Sequence, residues 1–188
     1  MAKDHPDVVA DLRSRYETYW AELKTDEQLK NPARPIIGSD HQKETWLTCI
    51  DWVRDNNLHT WEQSHVLAGV KGAGYWPVEI AKAGKYRFQV RRWPREVNKP
   101  ITAALPGQTK SDTTLNSKPW SMGGGKAIPA IKVKLKVGQE VVEKSITDKD
   151  TFAEFSLDLS KGNTRIQAWL ISKDQKAQGA YYLYVKKL

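Results

Sequence analysis

From Pro35 to the C-terminus the chain repeats one pattern: short runs in which apolar and polar side chains alternate, each closed by a turn signal. In "GKYRFQVR" (84–91) Tyr86, Phe88 and Val90 share one face while Arg87, Gln89 and Arg91 take the other. In "IKVKLKV" (131–137) Ile131, Val133, Leu135 and Val137 point one way and three lysines the other. A period of two marks a strand with one buried and one wet face. It predicts strands near 35–38, 45–52, 65–69, 76–81, 85–93, 128–137, 140–146, 151–159, 165–172 and 180–187, with Gly84, Gly138, Gly162 and Gly179 as turns. Many short strands without helical partners imply two packed antiparallel sheets. The expected fold is mostly β, a jelly-roll-like antiparallel β-sandwich.

The first 24 residues break this rule. Val8, Leu12, Tyr16, Tyr19 and Leu23 recur at helical spacing, Trp20 widens the stripe, and Pro6 suits a first turn that Asp4 or His5 can cap. One N-terminal amphipathic helix (1–24) therefore precedes a connector (25–34) and the sandwich domain (35–188). Residues 98–127, rich in Pro, Gly, Ser and Thr, form the one long irregular stretch, expected to be a loop or flap. Trp120 within it is best explained by docking onto a surface.

Charge is unevenly placed along the 188 residues. The formal net is +8, yet residues 71–137 hold 14 Lys and Arg against 3 Asp and Glu, a local net of +11. Clustering of one sign concentrates ligands of the other. The lysines of 131–137 are read as a solvated strand face. "RRWPR" (91–95) is different, because Arg91, Arg92, Trp93 and Arg95 crowd together where Pro94 stops the strand. Guanidinium forks bind flat oxyanions in bidentate fashion, and indole faces stack on the C–H faces of sugars. These four, with Tyr75, Trp76 and Trp61 as neighbours, are the candidate binding residues. Core packing competes for each tryptophan and is favoured for Trp46, Trp76 and Trp169. If the cluster binds anions, replacing Arg91 and Arg92 by Ala weakens binding of a sulfated oligosaccharide and leaves thermal stability nearly unchanged.

Little in the sequence points to catalysis. "GGGK" (123–126) lacks the earlier glycine of a phosphate loop, since Trp120 stands there, and Ala127 follows the lysine. His5, His41, His59 and His65 lack the close spacing of zinc ligands. There is no G-x-S-x-G elbow, and the single cysteine, Cys49, has no evident base and reads as an inert thiol. No stretch approaches the ~20 apolar residues of a membrane helix. The N-terminus carries charges where a signal peptide has its apolar centre. Neither a catalytic residue nor a metal ligand is assigned, and no nucleic-acid or membrane partner is expected.

Several segments carry a family resemblance. "DHPDVVADLRSRYETYWAEL" (4–23) resembles the last helix of the catalytic domain of bacterial arylsulfatase-like sulfatases. "IIGSDHQKETWLTCIDW", "GYWPVEIAKAGKYRFQVRRWPRE", "PITAALPG", "AIPAIKVKL" and "GNTRIQAWL…GAYYLYVKKL" are similar, in order, to the carboxy-terminal extension of that group. The resemblance implies a parent that hydrolyses sulfate esters with a formylglycine and a calcium ion, in the periplasm or outside the cell. Cys49 lies in "CIDW", not in the maturation motif, so no cofactor is assigned to this chain and no catalytic role is carried over.

The expected function is thus a non-catalytic C-terminal accessory domain that packs on or completes the cleft of a sulfuric ester hydrolase. Its expected partners are the sulfatase catalytic domain and sulfated glycans. The alternatives are an autonomous carbohydrate-binding module for anionic glycans and a structural or dimerising appendage, with a homodimer formed through the N-terminal helix.

Overall fold

The computed structural model describes residues 2–27, 33–55, 57–58, 60–110 and 120–188, with backbone only for 108–110 and 120–122. The chain divides into two compact units, Met1–Arg34 and Pro35–Leu188.

The first unit is built on helix α1, Pro6–Leu23, with Pro6 in its first turn and His5 at the N-cap making no side-chain capping bond. No residue of α1 is buried. Val8, Leu12, Tyr16, Tyr19 and Trp20 line its exposed apolar stripe, and Tyr16 and Trp20 stack nearly parallel at 6.4 Å.

The second unit is the sandwich. Its strands among the described residues are β1 (Ile36–Ile37), β2 (Glu44–Thr48), β3 (Val53–Arg54), β4 (Gly74–Ile80), β5 (Gly84–Arg91), β6 (Gln108–Lys110), β7 (Trp120–Met122), β8 (Ala130–Val137), β9 (Glu140–Ser145), β10 (Ala153–Leu159), β11 (Gly162–Ser172), β12 (Ala177–Gly179) and β13 (Tyr182–Lys187). One sheet runs β1-β4-β11-β8-β9, with β3 added to β4 and β12 to β11; the other runs β10-β5-β13-β2. All of these pairs are antiparallel except β1 with β4. Mostly β, two sheets and one leading helix: the fold class read from the alternation holds.

Alternation decides what fills the space between the sheets. Trp76, Val78 and Ile80 of β4, Ile166, Ala168 and Leu170 of β11, and Val133, Leu135 and Val137 of β8 face inward from the first sheet. Tyr86, Phe88 and Val90 of β5, Leu183 and Val185 of β13, Leu47 of β2 and Phe155 and Leu157 of β10 meet them in one core. Burying a large apolar side chain contributes about 1.5–3 kcal/mol each, which makes this interior the main stabilising element.

Three local expectations give way. Residues 65–69 are not a strand: Gln63–Ala68 form a short helix, α2, closed by Gly69 at φ +68°. A left-handed C-cap of this kind favours glycine. Ile131 does not point inward but is 43% exposed, because the β8–β11 register shifts at Ile171/Ser172 and leaves it in a bulge. Part of the 98–127 stretch is ordered as the β6–β7 hairpin. Residues 111–119 and the Trp120 side chain lie outside the described residues, and so does the docking expected of Trp120.

Candidate functional site

The candidate residues do not converge on one surface. Arg92 and Trp93 are both 0% exposed. The Arg92 guanidinium lies 4.2 Å from the Trp93 ring and donates to the main-chain carbonyls of Ala103 and Lys126. Burial presses its pKa below the usual arginine range. Arg91, 5% exposed, stacks on Phe152 at 4.7 Å and reaches Asn98 Oδ1 at 3.4 Å. Trp76 is fully buried and donates from Nε1 to the Thr48 carbonyl at 2.7 Å. The expectation that Arg91, Arg92 and Trp93 meet an anion is therefore corrected: the chain turns inward after β5, and main-chain carbonyls and aromatic faces occupy these side chains. Trp76 is likewise core.

Arg95 alone of the cluster reaches an outer face, that of the four-stranded sheet. Register builds this face in rows. Trp46, Tyr184, Gln89 and Glu154 sit side by side on β2, β13, β5 and β10, and the next row brings Glu44, Lys186, Arg87 and Ser156 together. Arg95 lies 4.0 Å from the centre of the Tyr184 ring. It grips Glu44 in bidentate fashion at 2.6 and 2.8 Å and donates to Gln89 Oε1 at 2.8 Å. Its backbone N–H donates to the Tyr184 hydroxyl at 3.2 Å, and Gln89 Nε2 donates to Glu154 at 3.0 Å. The Arg95 hydrogen bonds hold the Glu44 carboxyl below its ordinary pKa and raise that of Arg95. The result is a rigid polar lattice laid over one aromatic ring.

Beside that lattice stands Trp46, 65% exposed. It was expected in the core, yet β2 reads Glu44-Thr45-Trp46-Leu47-Thr48, and with Leu47 inward the pleat must put Trp46 outward. The alternation of "ETWLT" was the signal that locates it. A flat indole next to a fixed carboxylate, guanidinium and amide offers an apolar platform with hydrogen-bonding groups at its rim. Such a surface suits the C–H face and hydroxyls of a sugar ring.

Two further candidates lie elsewhere. Trp61, 59% exposed, precedes α2 and meets His65 edge-on at 6.2 Å. Tyr75 sits on the outer face of the larger sheet, under Arg165 at 4.5 Å. Cys49 is half-buried, and desolvation pushes its thiol up to about 11, so it stays protonated near neutrality. Among the described residues no three His, Cys, Asp or Glu side chains gather into a metal site, and no helix is long and apolar enough to cross a membrane.

No family model matches the chain, and no curated protein does. Solved structures similar to it include a Podospora anserina GH26-CBM35 beta-(1,4)-mannanase, at 7% identity, TM-score 0.40, covering 78% of this chain and 28% of that one. A ruminal GH26 endo-beta-1,4-mannanase matches at 10% identity, TM-score 0.37, covering 78% and 26%. A family 35 carbohydrate binding module from Clostridium thermocellum matches at 15% identity, TM-score 0.39, covering 78% of this chain and all of that one. The chain thus spans little more than a quarter of either mannanase. Likeness at this level does not place a ligand or a site on the chain.

Proposed function

We propose that this chain is a non-catalytic glycan-binding β-sandwich that serves as an accessory to a sulfuric ester hydrolase. One observation carries the binding half of this reading: Trp46 stands exposed on the outer face of the four-stranded sheet, beside the Glu44–Arg95–Gln89 lattice. An exposed indole on a rigid sheet loses little conformational freedom when a ring stacks on it, so most of the stacking energy is retained. The enzyme half rests on the ordered sequence resemblance to the carboxy-terminal extension of arylsulfatase-like sulfatases. On this reading the module holds the glycan while a partner catalytic domain cleaves its ester.

The face accounts for sugar contact better than for anion capture. Arg95 is neutralised by Glu44, and Arg87 lies 3.9 Å from Glu154. Isothermal titration of the chain against a panel of neutral and sulfated oligosaccharides tests the reading. At least one glycan is expected to bind, and Trp46→Ala is expected to weaken it about tenfold or more with an unchanged melting temperature, since little of the indole is buried. Silence across the panel, or a Trp46→Ala variant that binds like the parent, overturns it.

A further inference from the structure

On the far side of the sandwich the larger sheet presents a different chemistry. β8 places Lys132, Lys134 and Lys136 outward, about 7 Å apart along the strand. Its neighbour β11 places Arg165, Gln167 and Trp169 on the same face, with Gln167 opposite Lys136 and Trp169 opposite Lys134. Four cations thus share one flat surface. The carboxylates there are Glu143, which pairs with Lys132 at 2.9 Å and lies 3.9 Å from Lys134, and Glu79 on β4. At the rim Asp55 accepts from Gln167 at 3.0 Å.

How these cations are held is what matters. The Lys134 ammonium lies 5.7 Å from the Trp169 ring and the Arg165 guanidinium 4.5 Å from the Tyr75 ring. A neutral π face steadies a cation without cancelling its charge, whereas a carboxylate cancels it. Arg165 and Lys136 have no ion pair among the described residues, and Arg165 is exposed. This contrasts with Arg95, whose fork is filled by Glu44.

We infer that this face is a second binding surface, for a linear sulfated glycan. Arg165 and Lys136 would take the sulfate groups directly, and Lys134, positioned on Trp169, would extend the track along β8. Arginine's fork fits a sulfate in bidentate fashion, and the lysines supply point charges at a regular spacing. Single-stranded nucleic acid fits less well, because it needs bare aromatic faces for its bases and the rings here are already occupied by cations. The inference uses other residues than the Trp46 reading and does not depend on it.

The test is titration of the 188-residue chain with a heparin-derived hexasaccharide, its chemically desulfated counterpart, and a single-stranded DNA oligomer of similar charge. The sulfated sugar is expected to bind, with affinity falling steeply as salt is raised, because exposed charges are screened. Arg165→Gln with Lys136→Gln is expected to weaken binding about tenfold or more. Arg165→Lys should fall between that variant and the parent, while Trp46→Ala leaves this binding unchanged. The altered side chains are outward-facing, and an unchanged melting temperature confirms that folding is intact. If the double variant does melt early, Lys136→Gln alone carries the test and must still weaken binding. Equal affinity for the desulfated sugar, stronger binding of the DNA, or variants that bind like the parent overturn the inference. Loss on Trp46→Ala instead would move the sulfated ligand to the other face.

Discussion

A guanidinium removed from water needs its N–H groups answered: the two terminal nitrogens of Arg92 donate to the Ala103 and Lys126 carbonyls and the group lies on the face of Trp93, while its Nε has no hydrogen-bond partner among the described residues. Nothing anionic is among these partners, so the charge is stabilised by oriented dipoles and a quadrupole. Cutting it back to Ala strands two carbonyls and opens a void beside Trp93. Arg92→Ala is therefore expected to cost about 3–5 kcal/mol in urea unfolding, while Arg92→Met, which fills the void but leaves both carbonyls unanswered, costs less. If both variants unfold at the parent's midpoint, the latch is not structural. The expectation drawn from "RRWPR", that these arginines are replaceable without loss of stability, is reversed. Its failure has a physical cause: a run of Arg and Trp reads the same whether it meets solvent or folds under a loop. The partners that decide the matter, Ala103 and Lys126, lie 11 and 34 residues away and contribute only main-chain atoms. Trp46 was also misplaced, in the core, although its neighbours on β2 do fix its face.

At the level of elements, the alternating strands were readable and the short connections were not. α2 is six residues long, too short for a helical period to emerge, and "HVLAG" carries the same apolar run that a buried strand would. Gly69, at the left-handed C-cap, was the one local sign of a helix end. The segment after β7 is tied down by pairwise contacts. Leu105 and Gly125 exchange backbone hydrogen bonds, and the Lys126 N–H donates to the Leu67 carbonyl at the end of α2. Gly125 allows this close approach, because a Cβ there would come within 2.7 Å of the Trp93 ring and 3.2 Å of Leu67. Gly125→Ala is thus expected to push the segment off Trp93 and lower the melting temperature by several degrees, about what 1–3 kcal/mol does to a chain of this size. Gly123→Ala, with open space around its Cβ, is the matched control and should melt with the parent. Equal melting of the two would show that the segment is not clamped there.

For the molecule as a whole, a two-sheet core dictates both its faces and its response to pH. The alternation that turns Phe88 and Val185 inward puts Gln89 and Tyr184 on the outer face of the sheet, so within a strand the pattern divides the inner face from the outer. Pairing across strands distant in sequence then decides which outer residues become neighbours, and that step was not legible: Lys134 meets Trp169 only through register, and Glu44 meets Arg95 only because the turn after β5 lays that side chain over the sheet. The same burial holds several acids in their neutral form. Desolvation raises Cys49 from 9.0 to about 11 and Tyr182 from 10.0 to about 12, and it raises Tyr181 further. In the folded chain each binds its proton more tightly than in the unfolded one. Their stabilisation is complete below the unfolded values, near 9 to 10, and is lost as pH climbs toward 11 and 12. Arg92 and Arg91 act in the opposite sense, since burial lowers both, Arg92 to about 10, but Tyr86 is also raised by burial and the raised acids outnumber the two arginines. Thermal unfolding followed by circular dichroism is therefore expected to show a melting temperature that falls steadily from pH 9 to 12. The Tyr182 hydroxyl donates to Gln63 Oε1 at 3.2 Å, so Tyr182→Phe gives up one hydrogen bond at every pH and removes one titrating group. That variant should start slightly less stable than the parent and lose stability less steeply above pH 10. Parallel slopes for the two proteins would show that Tyr182 titrates alike folded and unfolded, and that this part of the core edge is open to water.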